Sequence, residues 1–229
     1  MRFNLLLGAG VCVLALSPLL ASADVVDPVG DFLSTYVGPH NGDMDVTEAD
    51  VSLSGQTFTF SGTLNGPIGT TPGALYVFGL NRGMGTARFE SGTPALGPNI
   101  LFDSVLILKP NTAGAFNDFI ANQLTPLPAG TVSINGDSFS ASLPVSLFPS
   151  EGLQPSQYTW DFWPRVGLGQ NNQISDLAPD SSNALVSSAP EPSSSAFMLF
   201  AGLMGAVALV TLRHRSWPLL RAAANDCLG

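Results

Sequence analysis

The chain has 229 residues, 45% of them hydrophobic, and its 17 acidic and 8 basic residues give a formal net charge of −9. From Asp24 to Glu191 the imbalance is larger, with sixteen acidic residues, four basic residues and a net charge of −12. This acidity argues against a nucleic-acid partner, because phosphate binding needs a basic surface. The two cysteines are Cys12 and Cys227, so no disulfide can stabilise the region between them.

The N-terminal segment, residues 1–23, has the pattern of a secretory signal peptide. Arg2 precedes an apolar stretch at residues 5–16, and small residues occur at Ala21 and Ala23. This pattern predicts passage through the secretion translocon and cleavage after Ala23. We therefore expect the residues that follow to function outside the cytoplasm.

Residues 24–180 have the pattern of one all-β domain, an antiparallel β-sandwich of jelly-roll-like type. Turn-forming residues recur at short intervals between alternating apolar and polar runs, which is typical of sandwiches. The predicted strands, in chain order, are residues 46–53, 56–64, 74–80, 86–90, 100–108, 131–135, 138–143, 145–147 and 158–166. Residues 115–123 predict a short helix, because Phe116, Phe119 and Ile120 have helical spacing.

Two residues qualify these strand predictions. Asp103 interrupts the nearly continuous apolar run at residues 100–108, which predicts a central strand buried on both faces. A buried unpaired carboxylate is costly, so we expect Asp103 to point to solvent or else to have a partner. Pro164 lacks an N–H group and indicates an edge position or a bulge near the end of the last strand.

The exported region lacks the residue patterns of common hydrolases. His40 is its only histidine, and there is no cysteine, no G-x-S-x-G sequence and no H-E-x-x-H sequence. Asp161, between Trp160 and Trp163, suits a glycosidase, but no second carboxylate is clearly associated with it. We therefore predict that the protein is not an enzyme.

Acidic side chains near the start of the domain form a candidate calcium site. Alternating oxygen donors in this segment resemble half of a calcium loop, although no glutamate follows at the EF-hand spacing. The candidate ligands are Asp27, Asp31, Asn41, Asp43 and Asp45. A second acidic segment, residues 175–180, meets the first if the two ends of the domain lie together. The alternative is that the same side chains stabilise turns and caps.

An aromatic run near the end of the domain raises a carbohydrate hypothesis. Tyr158, Trp160 and Trp163 would stack against sugar rings if they were exposed, whereas in a sandwich core they would be buried. The acidic entry to the first strand loosely resembles calcium-bearing β-sandwich modules, some of which bind carbohydrate. The sequence leaves both uses of these aromatic residues open.

The C-terminal part combines three consecutive features. A Ser/Pro-rich linker at residues 181–195 contains Pro190, Glu191 and Pro192. Residues 196–212 carry no charge and predict a transmembrane helix. Basic residues then begin a tail at residues 213–229, which the positive-inside rule places in the cytoplasm. The basic residues that close the helix are Arg213 and Arg215.

This arrangement resembles the PEP-CTERM sorting signal of Gram-negative bacteria. The resemblance implies that an exosortase, a membrane protease, recognises the motif and transfers the protein from the inner membrane to the cell surface or the medium. It also implies a structural or adhesive role at the cell surface, in an exopolysaccharide or biofilm matrix. Residues 216–229 continue beyond the point where such chains usually stop. The alternative is a calcium-dependent carbohydrate-binding module.

Overall fold

Two β-sheets pack face to face in the computed structural model, which describes residues 24–188. The described strands, in chain order, are β1 (Val25–Val26), β2 (Val46–Ser54), β3 (Thr57–Leu64), β4 (Ala74–Asn81), β5 (Ser104–Leu108), β6 (Gly114–Asp118), β7 (Gln123–Leu127), β8 (Val132–Asn135), β9 (Ser138–Pro144), β10 (Thr159–Val166), β11 (Ala184–Leu185) and β12 (Ser187–Ser188). Sheet A has the order β1-β2-β3-β9-β8, and β12 also pairs with β2; sheet B has the order β11-β10-β4-β5-β6-β7. The prediction of an all-β, antiparallel, sandwich-like architecture is confirmed.

Strict alternation explains the strands of sheet A. In β3, Phe58 and Phe60 are buried in the core between the sheets, while Thr57 and Thr59 lie on the opposite face. The predicted hairpin between β8 and β9 is confirmed, and its turn residue Gly136 has a φ of 66°, which glycine adopts without steric cost.

A second apolar cluster covers the outer face of sheet B. Trp163 of β10 and Ile107 of β5 pack there against Phe89, Ile174 and Leu177, which belong to the loops after β4 and β10. Strands β5 and β10 are therefore buried on both faces, as predicted for the apolar run at residues 100–108. Asp103, just before β5, is also fully buried and pairs with Arg82, so the outward orientation is wrong and the alternative with a partner holds.

Three predicted elements differ from the structure. Residues 115–123 form β6 and the turn into β7 instead of a helix, because Phe116 pairs with Leu106 of β5 and packs into the core. Residues 86–90 make one isolated bridge and a 3-10 turn instead of a strand. Val145–Leu147 is likewise a 3-10 turn.

The last described residues belong to the sandwich. The predicted linker at residues 181–195 begins with β11, which pairs with β10, and β12, which pairs in parallel with β2. The ordered domain therefore extends at least to residue 188.

Pro164 lies where its missing N–H is tolerated. Strand β10 pairs along its whole length with β4, but on its other side it meets only β11 and the loop at residues 174–178. The Pro164 carbonyl accepts a hydrogen bond of 3.1 Å from the Ser175 amide of that loop. Strand β10 is thus not an edge strand, since it lies between β4 and the short β11, but beside Pro164 it faces a loop instead of a regular strand.

Several predictions concern other parts of the chain. The signal peptide at residues 1–23, the sorting motif at Pro190, Glu191 and Pro192, the transmembrane helix at residues 196–212 and the tail at residues 213–229 lie outside the described residues. Between residues 24 and 188, no helix is long and apolar enough to cross a bilayer.

Candidate metal centre

Three aspartates converge beside the edge of sheet B, and we call them the acidic cluster: Asp27, Asp31 and Asp176. Each brings a carboxylate oxygen to within 4.8 Å of the other two. Asp27 and Asp176 are 7% and 0% exposed, whereas Asp31 is exposed. The cluster is therefore open to solvent through Asp31 and closed behind it.

Backbone pairing brings these distant residues together. Strand β1 pairs with β2, and the Asp27 amide extends this pairing by donating to the Thr47 carbonyl at 3.1 Å. Further along, the Leu33 amide donates to the Ser175 carbonyl at 2.8 Å and the Val37 amide donates to the Asn172 carbonyl at 3.0 Å. The N-terminal segment, residues 27–37, thus runs beside the loop that carries Asp176.

Asp176 links this loop to sheet A. One carboxylate oxygen accepts a hydrogen bond from the Val46 amide at 2.8 Å, and the other accepts one from the Leu177 amide at 2.9 Å. Burial raises the pKa of Asp176 to about 7, although these two amides act in the opposite direction, and the charges of Asp31 and Asp45 raise it further.

Asp27 has fewer compensating contacts. Its Oδ2 atom is buried and has no hydrogen-bond partner within the described part of the chain. Burial raises the pKa of Asp27 to about 8, and the neighbouring charges of Asp176, Asp31 and Asp180 add to this effect. The carboxylate would therefore be stabilised by a positive charge beside it.

Asp161 lies close to the cluster, in the middle of β10. It is fully buried, and neither of its carboxylate oxygens has a hydrogen-bond partner among residues 24–188. Burial raises its pKa well above the ordinary value, followed by the charges of Asp180, Asp27 and Asp176. Asp161 therefore adds a second under-compensated carboxylate to the same region.

The described basic residues lie elsewhere. No salt bridge between described residues reaches the acidic cluster, since those that form all involve Arg82. The Arg165 guanidinium donates to the carbonyls of Gly167 and Gln170, at 2.6 and 3.2 Å. Arg88 lies over the Phe119 ring, 4.2 Å from its centroid. The described chain thus provides no cationic side chain to balance the cluster.

The structure divides the five predicted calcium ligands. Asp27 and Asp31 belong to the cluster. Asp43 instead accepts hydrogen bonds from the Thr71 amide and hydroxyl at 2.7 and 2.6 Å, and Asn41 donates to the same hydroxyl at 3.0 Å. Asn41 and Asp43 therefore hold the loop at Thr71 through long-range contacts and are not among the converging aspartates, and Asn41 makes no side-chain cap hydrogen bond.

Asp45 occupies an intermediate position. Both of its oxygens accept from the Gly30 amide at 3.0 Å, and one also accepts from the Asn65 side chain at 2.9 Å. Its charge raises the pKa values of Asp31 and Asp176, so it lies near the cluster. Its hydrogen bonds show that it positions the loop around Gly30.

Sequence reasoning did not name Asp176 as a candidate ligand, and it did not place Asp161 beside the acidic cluster. Asp176 lies in the acidic segment at residues 175–180, and the convergence of the two domain ends would have selected it. Asp161 was considered only for glycosidase chemistry. Its position beside the cluster has no local signal in the sequence, since Asp27 and Asp176 come from other parts of the chain.

The aromatic residues do not form a sugar-stacking platform. Tyr158, Trp160 and Trp163 are 0%, 0% and 1% exposed, so no ring presents a face to solvent. Trp163 packs against Phe89 and Phe102, with ring centroids 4.8 and 5.3 Å apart. The prediction of a platform is wrong because both faces of β10 are covered, and the core alternative holds.

His40 also has a packing role. Its ring lies 4.5 Å from the Phe32 ring and 5.3 Å from the Tyr36 ring, measured between centroids.

No protein-family model matches the chain, and no curated protein is significantly similar to it in sequence. The interpretation of the site therefore depends on its own geometry.

Proposed function

We propose that this protein is an exported structural or adhesive component of the cell surface or of an exopolysaccharide matrix, without enzymatic activity. The sorting-signal resemblance supports export, because Pro190, Glu191 and Pro192 precede an apolar segment that ends at Arg213 and Arg215. An exosortase would process this signal at the membrane. The acidic composition and the lack of cysteine in residues 24–189 suit a soluble domain that needs no disulfide.

The observation that carries the adhesive role is the outer face of sheet A. In β3 and β9, Ser and Thr stand opposite one another on this face, and Asp50, Ser52 and Ser54 of β2 extend it. The opposing pairs are Thr59 with Ser142, Ser61 with Ser140 and Thr63 with Ser138. We call this surface the hydroxyl face.

The spacing of the hydroxyl face suits a polymer. Neighbouring strands are about 4.8 Å apart and alternate residues of one strand about 6.8 Å apart, so hydroxyl groups repeat at regular intervals. Two of the pairs are within hydrogen-bond distance, at 3.3 Å between their oxygens. A polysaccharide, which carries hydroxyl groups along its whole length, can form many weak hydrogen bonds with such a surface.

A depression on this face is shallow. It has a volume of about 90 Å³ and is lined by residues that include Asp24, Glu48 and Asp50. Pockets that enclose small molecules usually measure about 300–1,000 Å³. The hydroxyl face therefore suits contact with an extended polysaccharide better than capture of a single sugar. In the carbohydrate hypothesis it takes the place of the aromatic residues, which are buried.

Export can be tested by intact mass spectrometry of the protein from membrane, surface and medium fractions of its host. We expect a mature form that begins at Asp24 and ends near Pro192, and we expect Pro190→Ala with Pro192→Ala to retain the full-length form in the membrane. Pro218→Ala, beyond the motif, is the matched control and should be processed normally. An unprocessed wild-type chain that reaches Gly229 in the inner membrane would contradict the proposal.

Adhesion can be tested by co-sedimentation with exopolysaccharide purified from the same host. Ser140→Gln with Ser142→Gln places bulky neutral side chains on the hydroxyl face and should abolish co-sedimentation. Thr125→Gln on β7 of sheet B makes the same type of change elsewhere and should leave it intact. Equal binding by all three proteins would rule out this face as the adhesive surface.

A further inference from the structure

In and beside the acidic cluster, carboxylate oxygens lie close together, and some of the buried ones lack a hydrogen-bond partner in the described residues. Asp27, Asp31 and Asp176 bring oxygens together, while the buried Asp27 Oδ2 and both oxygens of the buried Asp161 have no hydrogen-bond partner in the described residues. Burying a carboxylate costs free energy unless hydrogen bonds or a positive charge compensate it. In the described chain, neither is available to these atoms.

The donor set indicates the class of ligand. Carboxylate oxygens are hard ligands, which suit Ca²⁺ and Mg²⁺ better than transition metals that prefer nitrogen or sulfur. Ca²⁺ binds oxygen at about 2.3–2.6 Å, so ligands on opposite sides of the ion are up to about 5 Å apart. Oxygens that lie within 4.8 Å of one another are therefore close enough to contact one Ca²⁺ ion after small side-chain adjustments.

Mg²⁺ fits this arrangement less well. It requires near-octahedral coordination at about 2.0–2.1 Å and usually retains several waters, so it is seldom bound by a set of protein carboxylates alone. Ca²⁺ tolerates six to eight ligands in irregular geometry and accepts backbone carbonyls and waters beside carboxylates. Because Asp31 is exposed, solvent can supply the remaining ligands.

We propose that Asp27, Asp31 and Asp176 bind one Ca²⁺ ion, and that this ion fastens the N-terminal segment to the loop after β10. Asp161 and Asp180 add negative charge beside the ion. The same loop leads to β11 and β12, which complete both sheets. The ion therefore stabilises the two ends of the domain together, and this role does not depend on the hydroxyl face or on sorting.

Calorimetric titration of the full-length protein with CaCl₂, after treatment with EDTA, tests the site. We expect one ion per chain with a dissociation constant of about 10⁻⁴–10⁻³ M, as in extracellular calcium modules. Thermal unfolding should shift to higher temperature in CaCl₂, because a ligand that binds the native state stabilises it. MgCl₂ should produce a smaller shift at the same concentration.

Variants locate the ion. Asp31→Asn should weaken Ca²⁺ binding at least about tenfold, since affinity depends on the number of charged ligands. Its side chain is exposed, so the fold should persist in EDTA. Asp137→Asn, in the exposed turn between β8 and β9, removes the same charge elsewhere and should bind Ca²⁺ like the wild type. Asp27→Asn provides a second test within the cluster.

Hydrogen exchange adds a local readout. In CaCl₂ the amides of Leu33 and Val37, which pair with the loop after β10, should exchange more slowly than in EDTA, whereas amides of the β8–β9 hairpin should change less. Absence of Ca²⁺ binding by the wild type would overturn the proposal. Wild-type affinity in both Asp31→Asn and Asp27→Asn, or equal loss in Asp137→Asn, would also overturn it.

Discussion

The molecule buries carboxylates in two regions and compensates them differently. Around Arg82, Asp103 and Asp118 lie 2.8 Å from guanidinium nitrogens, and Arg82 also donates to the Pro149 carbonyl at 2.9 Å. Around Asp27, no described basic side chain approaches. The first centre contains its own cation, whereas the second must bind a proton or a cation from solution.

The pKa values of the two regions differ in the corresponding way. Burial acts to raise the pKa of Asp118, but the hydrogen bonds and charge of Arg82, together with the amides of Ala121 and Ile120, outweigh burial and the pKa is lowered. At Asp27 burial and neighbouring carboxylates act in the same direction, and the pKa is raised to about 8. The comparison shows that burial has opposite consequences for a carboxylate according to whether the fold places a cation beside it.

Removing the internal cation should have the largest effect on stability. Arg82→Met leaves Asp103 and Asp118 buried without their charged partner, so we expect a loss of about 3–5 kcal/mol in urea unfolding. Lys109→Met removes an exposed positive charge and should change stability by less than about 0.5 kcal/mol. A loss below about 1 kcal/mol for Arg82→Met would mean that Arg82 is not what permits these acids to be buried.

The buried carboxylates around Asp27 should make the stability of the protein in EDTA depend on pH. Above about pH 4 the native state retains protons that the unfolded state has released, up to about pH 7 on Asp176 and about pH 8 on Asp27, because burial raises both pKa values. Stability therefore falls as pH rises through this window. The slope should be at most about 1.4 kcal/mol per pH unit for each retained proton, so the loss from pH 5 to pH 7 should be at most about 3 kcal/mol for one proton and about 5 kcal/mol for both.

Urea unfolding at several pH values measures this slope. Burial and the charge of Asp31 still raise the pKa of Asp176 when Asp27 is replaced, so Asp27→Asn should reduce the slope without abolishing it. Stability that is constant or rises between pH 5 and pH 7 in the wild type would contradict the description of the cluster as uncompensated.

A variant of Asp45 tests whether hydrogen bonds or a bound cation stabilise its buried carboxylate. Asp45→Ala removes the acceptor of the Gly30 amide and the Asn65 side chain, so we expect a loss of about 1–3 kcal/mol. The loss should be equal in CaCl₂ and in EDTA, as measured by urea unfolding. Glu48→Ala, an exposed residue nearby in sequence, is the control. A loss seen only in CaCl₂ would make Asp45 a calcium ligand.

The smallest effect should come from the edge of the Arg82 region. Glu151 lies 3.9 Å from Arg82, and its side chain is 19% exposed. Glu151→Gln should therefore cost less than about 0.5 kcal/mol in thermal unfolding, because partly solvated ion pairs contribute little. Asp118→Asn provides the comparison and should cost more. Equal losses would mean that distance from Arg82 and burial do not determine how much Glu151 and Asp118 contribute to stability.

Local sequence predicted the strands whose signals were both periodic and bounded by turns. Strand β3 and the β8–β9 hairpin are examples, since alternation and Asn-Gly specify them within a few residues. Residues 115–123 show the limit of this approach. Phe116 and Phe119 fit a helix by spacing, but pairing of β6 with β5 decides the conformation, and short apolar patterns cannot distinguish the two.

For this protein, the sequence by itself determined the acidic, cysteine-free composition, the all-β class and the participation of Asp27 and Asp31 in an acidic centre. Only the tertiary structure decided which acids meet. Asp103 and Asp161 both interrupt apolar runs, yet one lies beside Arg82 and the other beside Asp27 and Asp176. The physical reason is that compensation of a buried charge depends on neighbours from other strands and loops, and local sequence does not specify those neighbours.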